Sequence, residues 1–229
     1  MEMILAIDVV NWLNDCDTAL LLAVNGLHSG FGDTFLWLVS RKFEWIPMYA
    51  ALFYVVFRNF HWKVALASLV AMALIFALTD AFTSQILRPA VARLRPSNLE
   101  NPVSAMVHVV DGYRSGRYGF PSAHTSNSWG LAFFMAWLLR KRALTLFLAF
   151  WATLQCYSRL YLGVHYPGDL LAGMLMGFAS ATAVYFLFWR ITKYPIPAEL
   201  RHAYVPVVVG LLTLLVFGVY SVLVWKSVL

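Results

Sequence analysis

Three stretches of the chain carry side chains suited to holding and attacking a phosphate: Arg88-Pro89-Ala90-Val91-Ala92-Arg93-Leu94-Arg95-Pro96, then Pro121-Ser122-Ala123-His124, then Ser158-Arg159 followed by His165 and Asp169. A guanidinium is permanently charged and presents its N–H groups in a planar fork that matches a tetrahedral oxyanion. Arg88, Arg95 and Arg159 brought together therefore imply an anion the size of phosphate. Ser122 stands where a helix begins after Pro121, and its hydroxyl with the free N–H groups of that helix end adds further donors. Such a cradle stabilises developing negative charge without a metal ion.

Attack and proton transfer fall to the histidines. A neutral imidazole is a competent nucleophile toward phosphorus when its other ring nitrogen is held by an acceptor that also steadies the cation formed. His165 and Asp169 fit, because Pro167 is suited to open a helix, which sets Asp169 in the first turn and His165 just ahead of it. His124 is then the acid that protonates the departing oxygen. One histidine must be unprotonated and the other protonated, which predicts a bell-shaped pH dependence and a phosphohistidine resolved by water.

The elements that position these groups must lie in a membrane. Of 229 residues, 61% are hydrophobic and 12% charged, where a soluble domain carries about a quarter charged. Apolar runs at 64–87, 126–139, 143–162, 167–189 and 204–225 each approach the ~20 residues that cross the hydrocarbon, and a weaker run at 43–57, holding Pro47, makes six. Backbone amides in lipid need partners within their own segment, and no period-two alternation points to a barrel. The expected fold class is all-α and integral to the membrane, with about six transmembrane helices in one bundle.

Residues 1–42, dotted with Asp8, Asp15, Asp17, Asn25, His28 and Asp33, read as short amphipathic helices at the interface. The chain is thus one domain: a collar at 1–42, catalytic core helices at 43–189 and an extra C-terminal span at 203–226. Its first residues lack the basic start of a cleaved signal peptide. Cys16 and Cys156 are too isolated for a disulfide framework or a Cys-based zinc site, and no cofactor is expected. The net charge of +6 is spread over loops, which speaks against nucleic acid as a partner.

Short connections with Arg58 and Lys63, then Arg140, Lys141 and Arg142, then Arg190, Lys193 and Arg201 alternate along the chain almost without acids, which marks them as cytoplasmic. The long 88–120 loop, the turn at His165 and the collar then face outward, and all three chemical stretches end there. A pocket between helices of a bundle is a normal ligand site.

Other residues take plainer readings. Arg93, Arg114 and Arg117 read first as solvated or headgroup-paired, with Arg117 kept as an outer candidate for touching substrate. His28, His61, His108 and His202 read as interfacial anchors. Asp80 is an acid inside an apolar run and needs a partner; Ser84 and Arg88 follow it on the same helical face, so it joins Ala123 and Ser158 as an outer member of the site. Ser122 and Asp169 also suit helix capping, and Gly173 with Gly177 suits close helix packing.

In order and spacing, Arg-x6-Arg-Pro, Pro-Ser-Ala-His and Ser-Arg-x5-His-x3-Asp resemble the three-part signature of the type 2 phosphatidic acid phosphatase family of membrane lipid phosphatases. The resemblance runs from Arg88 to Asp169 and implies His165 as nucleophile, Asp169 as its orienting partner, His124 as general acid and Arg88, Arg95, Ser122 and Arg159 as phosphate ligands, with no metal. Two positions depart from the pattern: Arg88 stands where Lys is usual, and Ala123 where Gly is usual. Many members carry a span before the collar; here 204–225 extends the other end instead, which leaves both termini outside.

The expected activity is hydrolysis of a lipid phosphate at the outer face of a bacterial inner membrane, with a polyprenyl diphosphate favoured over phosphatidate, phosphatidylglycerol phosphate or a lipid A phosphate. Phosphate transfer to a second lipid is the rival enzyme reading, and an anionic-lipid transporter or scaffold the non-enzymatic one.

Overall fold

The computed structural model describes residues 2–195 and 199–228. Its helices are α1 (Glu2–Asn25), α2 (Gly30–Ser40), α3 (Ile46–Asn59), α4 (Trp62–Asp80), α5 (Arg88–Val91), α6 (Ala123–Leu139), α7 (Arg142–Tyr161), α8 (Pro167–Thr192) and α9 (Val205–Val228). A π-helical stretch, Ala81–Leu87, joins α4 to α5, so that Trp62–Val91 is one continuous helix. That helix, α8 and Val205–Ser227 are long and apolar enough to cross a membrane. The remaining runs are shorter, with α3, α6 and α7 spanning 14, 17 and 20 residues.

Proline chemistry sets several of the ends. Pro47 lies in the first turn of α3, where its missing N–H costs nothing, so it opens that helix rather than interrupting it. Pro89 has no amide to continue an ordinary helical ladder. The chain meets it with the wider π pattern, the Arg88 amide bonding Thr83 five residues back, and then stops at Ala92 in the left-handed region, φ 50°. Arg88 is thereby presented at the very tip of the long helix.

The N-terminal collar differs from expectation. It is one helix of 24 residues followed by one of 11, rather than a set of short ones. Nor is it confined to the surface: α2 buries Leu36, Val39 and Ser40 and packs on α7 and α9. The tie is polar. Asn25 donates to the carbonyls of Tyr161 (2.7 Å) and His108 (2.9 Å), and Ser29 caps α2 by accepting the Gly32 N–H at 3.1 Å.

Helices α6 and α8 pack closely. A Cβ on Gly173 would stand 2.6 Å from the Ser122 carbonyl, and one on Gly177 2.5 Å from that of Ser126; only glycine allows this approach. The Ser122 N–H donates to the Asp169 carbonyl at 3.0 Å, stitching the first turns of both helices together. Beneath them Ile75, Phe134, Leu148 and Trp151 form the core, while Leu171, Leu175, Leu211 and Leu215 face outward.

Candidate active site

At one end of the bundle a cavity of about 500 Å³ draws its walls from all three chemical stretches. The tip of the long helix supplies Asp80, Ser84 and Arg88; the loop after it Arg95, Tyr113 and Ser115; α6 Ala123 and His124; α7 Arg159; and the turn before α8 His165. Arg95 and Arg159 are 4% exposed and His165 is 1% exposed.

His165 is held at both nitrogens. Its Nδ1 lies 3.3 Å from Asp169 Oδ2 and its Nε2 2.6 Å from a terminal nitrogen of Arg95, which also donates to the Val164 carbonyl at 2.9 Å. A guanidinium can only donate, so Nε2 carries the lone pair and Nδ1 the proton given to Asp169. Burial, then Arg95, Arg159 and Arg88, hold His165 well below the ordinary imidazole value, which keeps it neutral. Asp169 is fully buried as the third residue of α8, where Oδ2 also accepts the Tyr166 N–H at 3.0 Å.

The arginines crowd one another. Burial together with Arg159 and Arg88 pushes Arg95 down to about 9, so it stays cationic at neutral pH. Arg88 donates to Ser84 Oγ at 3.3 Å and to the Pro121 carbonyl at 3.5 Å, and Arg159 to Ser40 Oγ. The Nε of all three is buried without an acceptor among the described residues. Such donors cost about 1–3 kcal/mol each when left unpaired, and an oxyanion would relieve both this and the mutual repulsion. Tyr113 belongs to the same field: burial alone would raise its phenol, but Arg159 beside it and a hydrogen bond with Ser115 outweigh that and leave it lowered.

His124 lines the cavity with its Nε2 3.0 Å from the Ser40 carbonyl, which can only accept, so Nε2 bears a proton. Ser122 is buried behind it as the cap of α6, its Oγ accepting from Thr125 N (3.4 Å) and Thr125 Oγ1 (3.2 Å), and does not line the cavity. Ser158 is likewise turned away, donating to the Gln155 carbonyl at 2.7 Å. Arg117 points to the surface and pairs with Glu100 at 2.6 Å. Asp80 lines the cavity, but no cation lies within ion-pair distance of it among the described residues. An exposed carboxylate at the mouth of a polar cavity does not need the partner that a lipid-buried one would.

Three residues at the site were hidden in the sequence. Arg93 is no solvated surface charge: it bonds Asp169 Oδ1 at 3.2 Å and Asp17 at 2.7 Å and lies 4.0 Å over the Tyr166 ring. Its place inside the arginine-rich stretch was the available signal. Ser40 bonds both His124 and Arg159 from a segment taken for surface, and nothing local announces it. At Gly119 a Cβ would stand 2.9 Å from Asp169 Oδ2. Arg114 ties the long loop to itself by donating to the Ser97 carbonyl at 2.7 Å, and His108 pairs with Asp33 while stacking on His28.

A second cavity of about 570 Å³ shares Asp80, Ala123 and His124 with the first and runs inward between Phe53 of α3, Phe76 of α4, Leu131 of α6 and Trp151 of α7, with Lys42 at its rim. A charged chamber thus opens beside an apolar one.

Residues 62–193 match the model of the PAP2 superfamily. The chain is 45% identical over 222 residues to a lipid A 4′-phosphatase of Bacteroides thetaiotaomicron, covering 93% of this chain and 99% of that protein. It is 32% identical over 179 residues to a lipid A 4′-phosphatase of Porphyromonas gingivalis, covering 78% of this chain and 75% of that one. In fold it resembles the crystal structure of a transmembrane PAP2 type phosphatidylglycerolphosphate phosphatase from Bacillus subtilis, with a TM-score of 0.62 at 21% identity over 84% of this chain and 94% of that one.

Proposed function

The chain belongs to the PAP2 superfamily and is an integral membrane lipid phosphatase, and from that premise we propose that it removes a phosphate monoester from the sugar headgroup of a lipid A-type glycolipid. The observation that carries the chemistry is the gathering of Arg88, Arg95 and Arg159 around His165 in one cavity, with the unprotonated Nε2 of His165 held by Arg95. The likeness to two lipid A 4′-phosphatases and the apolar chamber beside His124, which suits a hydrocarbon chain, support this substrate. The isoprenoid diphosphate favoured by sequence alone takes second place.

In this reading the phosphate displaces Arg95 from His165, and the three guanidiniums bind its oxygens. His165 Nε2 attacks phosphorus as the bond to the sugar oxygen breaks, and Asp169 accepts the Nδ1–H hydrogen bond and steadies the imidazolium. His124, its Nε2–H accepted by Ser40, carries a second proton on Nδ1, gives that proton to the departing oxygen and then takes one at Nδ1 from the water that hydrolyses the phosphohistidine. Inorganic phosphate leaves and His165 is regenerated. Ser122 serves through its backbone and its cap on α6 rather than as a ligand of its own.

We take the whole chain as one domain with six spans: α3, the helix Trp62–Val91, α6, α7, α8 and α9, with α1 and α2 at the outer face. The basic loops at the end opposite the cavity support a site on the periplasmic side of a bacterial inner membrane.

A panel of lipid A, undecaprenyl diphosphate, phosphatidate and phosphatidylglycerol phosphate, assayed for phosphate release in excess chelator, tests the proposal. The expected result is a kcat/KM for lipid A at least about tenfold above the others, undiminished by chelator and abolished by vanadate. Equal or better turnover of the isoprenoid would overturn the substrate assignment. Transfer to a second lipid without free phosphate would make the chain a phosphotransferase.

A further inference from the structure

No described residue of α1 lines either cavity, yet α1 reaches the reacting pair through one guanidinium. Arg93 lies between two carboxylates, 2.7 Å from Asp17 Oδ2 and 3.2 Å from Asp169 Oδ1, with its plane 4.0 Å over the Tyr166 ring and Asn14 Oδ1 at 3.4 Å. The other oxygen of Asp17 accepts the Gly168 N–H at 2.7 Å, in the first turn of α8, while the other oxygen of Asp169 accepts from His165 and Tyr166. Among the described residues Arg93 is the only permanent cation within ion-pair distance of this buried carboxylate.

We propose that Arg93 and Asp17 are positioning residues: Asp17, from α1, fixes the Arg93 guanidinium, Arg93 fixes the rotamer and the charge of Asp169, and Asp169 aims His165 Nε2 at phosphorus. The chain Asp17, Arg93, Asp169, His165 is continuous at hydrogen-bond distances and touches substrate only at its last member. This rests on the phosphohistidine reading. A planar fork stacked on an aromatic face and shared by two carboxylates has little rotational freedom, whereas a lysine there would keep the charge but lose the two-sided grip. Without Arg93 the carboxylate loses its counter-ion and one of the bonds that set its direction, and an attacking nitrogen misplaced by about 1 Å can cost about 10²-fold in rate.

The test compares Arg93→Gln, Arg93→Lys, Asp17→Asn and the Arg93→Gln/Asp17→Asn double variant in full-length protein, reading kcat, KM and the pH profile with a lipid phosphate, and includes His165→Ala. Arg93→Gln is expected to lower kcat by about 10²-fold with KM within about twofold. It also makes the carboxylate–imidazole pair easier to protonate, so the acid limb moves to higher pH by about half to one unit. Arg88 from α5, Arg95 from the loop, His124 from α6, Arg159 from α7 and Tyr166 all stay in place in these variants, so the shift reads the charge of Arg93. Arg93→Lys restores the acid limb but only part of kcat. Asp17→Asn lowers kcat by about tenfold, and the double variant equals Arg93→Gln, because each residue acts through the other. An unchanged kcat and pH profile in Arg93→Gln, multiplying effects in the double variant, or a change confined to KM would overturn the proposal. If His165→Ala releases phosphate at the wild-type rate, the phosphohistidine reading itself fails; if it is inactive while Arg93→Gln is normal, only the positioning role fails.

Discussion

His165→Ala stops phosphate release: kcat falls by about 10⁴-fold or more, while the lipid phosphate still binds. Nε2 of His165 carries a lone pair, held at rest by Arg95, in the field of Arg95, Arg159 and Arg88. The other candidates are engaged elsewhere, since the Ser122 hydroxyl is buried as a cap and His124 Nε2 bears a proton committed to Ser40. Removing the imidazole leaves Arg88, Arg95 and Arg159 in place, so affinity survives when turnover does not. Phosphate release and ligand-dependent thermal stabilisation, measured on the same preparation, check both halves. His165→Asn behaves the same way in a phosphatase, whereas a lipid-binding scaffold or transporter would keep its function in that variant.

Arg95→Gln is the second large effect, with kcat/KM down by about 10²–10³-fold, which corresponds to about 2.7–4 kcal/mol of lost transition-state stabilisation. Arg95 faces both partners of the reaction: its terminal nitrogen bonds His165 Nε2, and its buried Nε has no acceptor among the described residues and is open to an oxyanion. The variant also changes the pH profile in a calculable direction. The active form of His165 is neutral, and burial followed by Arg95, Arg159 and Arg88 holds it well below its usual range, so the acid limb of wild-type kcat/KM lies below about pH 6.5. Taking away Arg95 makes the ring easier to protonate, and activity is then lost at a higher pH as the medium is acidified. A rate and an acid limb both equal to wild type would remove Arg95 from the site.

The sequence carried most of this site because its chemistry is local. Arg88 and Arg95, and His165 and Asp169, lie within one turn or loop of each other, so their spacing bore the geometry, and the alternation of basic loops brought the three stretches to one end. The runs at 64–87 and 167–189 anticipated the continuous helix Trp62–Val91 and α8 within a few residues, since a span must be apolar along most of its length. What escaped was long-range. Arg93 looks like any charged loop residue until Asp17, far back in the chain, and Asp169 are folded around it. Ser40 and the inward packing of α2 were invisible because a half-polar helix suits an interface and a crevice equally well. Ser122 shows the opposite failing: its position before an apolar helix fitted both a ligand and a cap, and its oxygen accepts from Thr125.

The most direct measurement is rapid quenching of the enzyme during turnover of a lipid substrate labelled with ³²P in its phosphate. The account predicts a label on the protein that survives base, is lost in acid, maps to the peptide containing His165, forms and decays at rates compatible with turnover, and is absent from His165→Ala. A protein that turns over substrate with no labelled intermediate, or with the label on a serine or carboxylate, would contradict it.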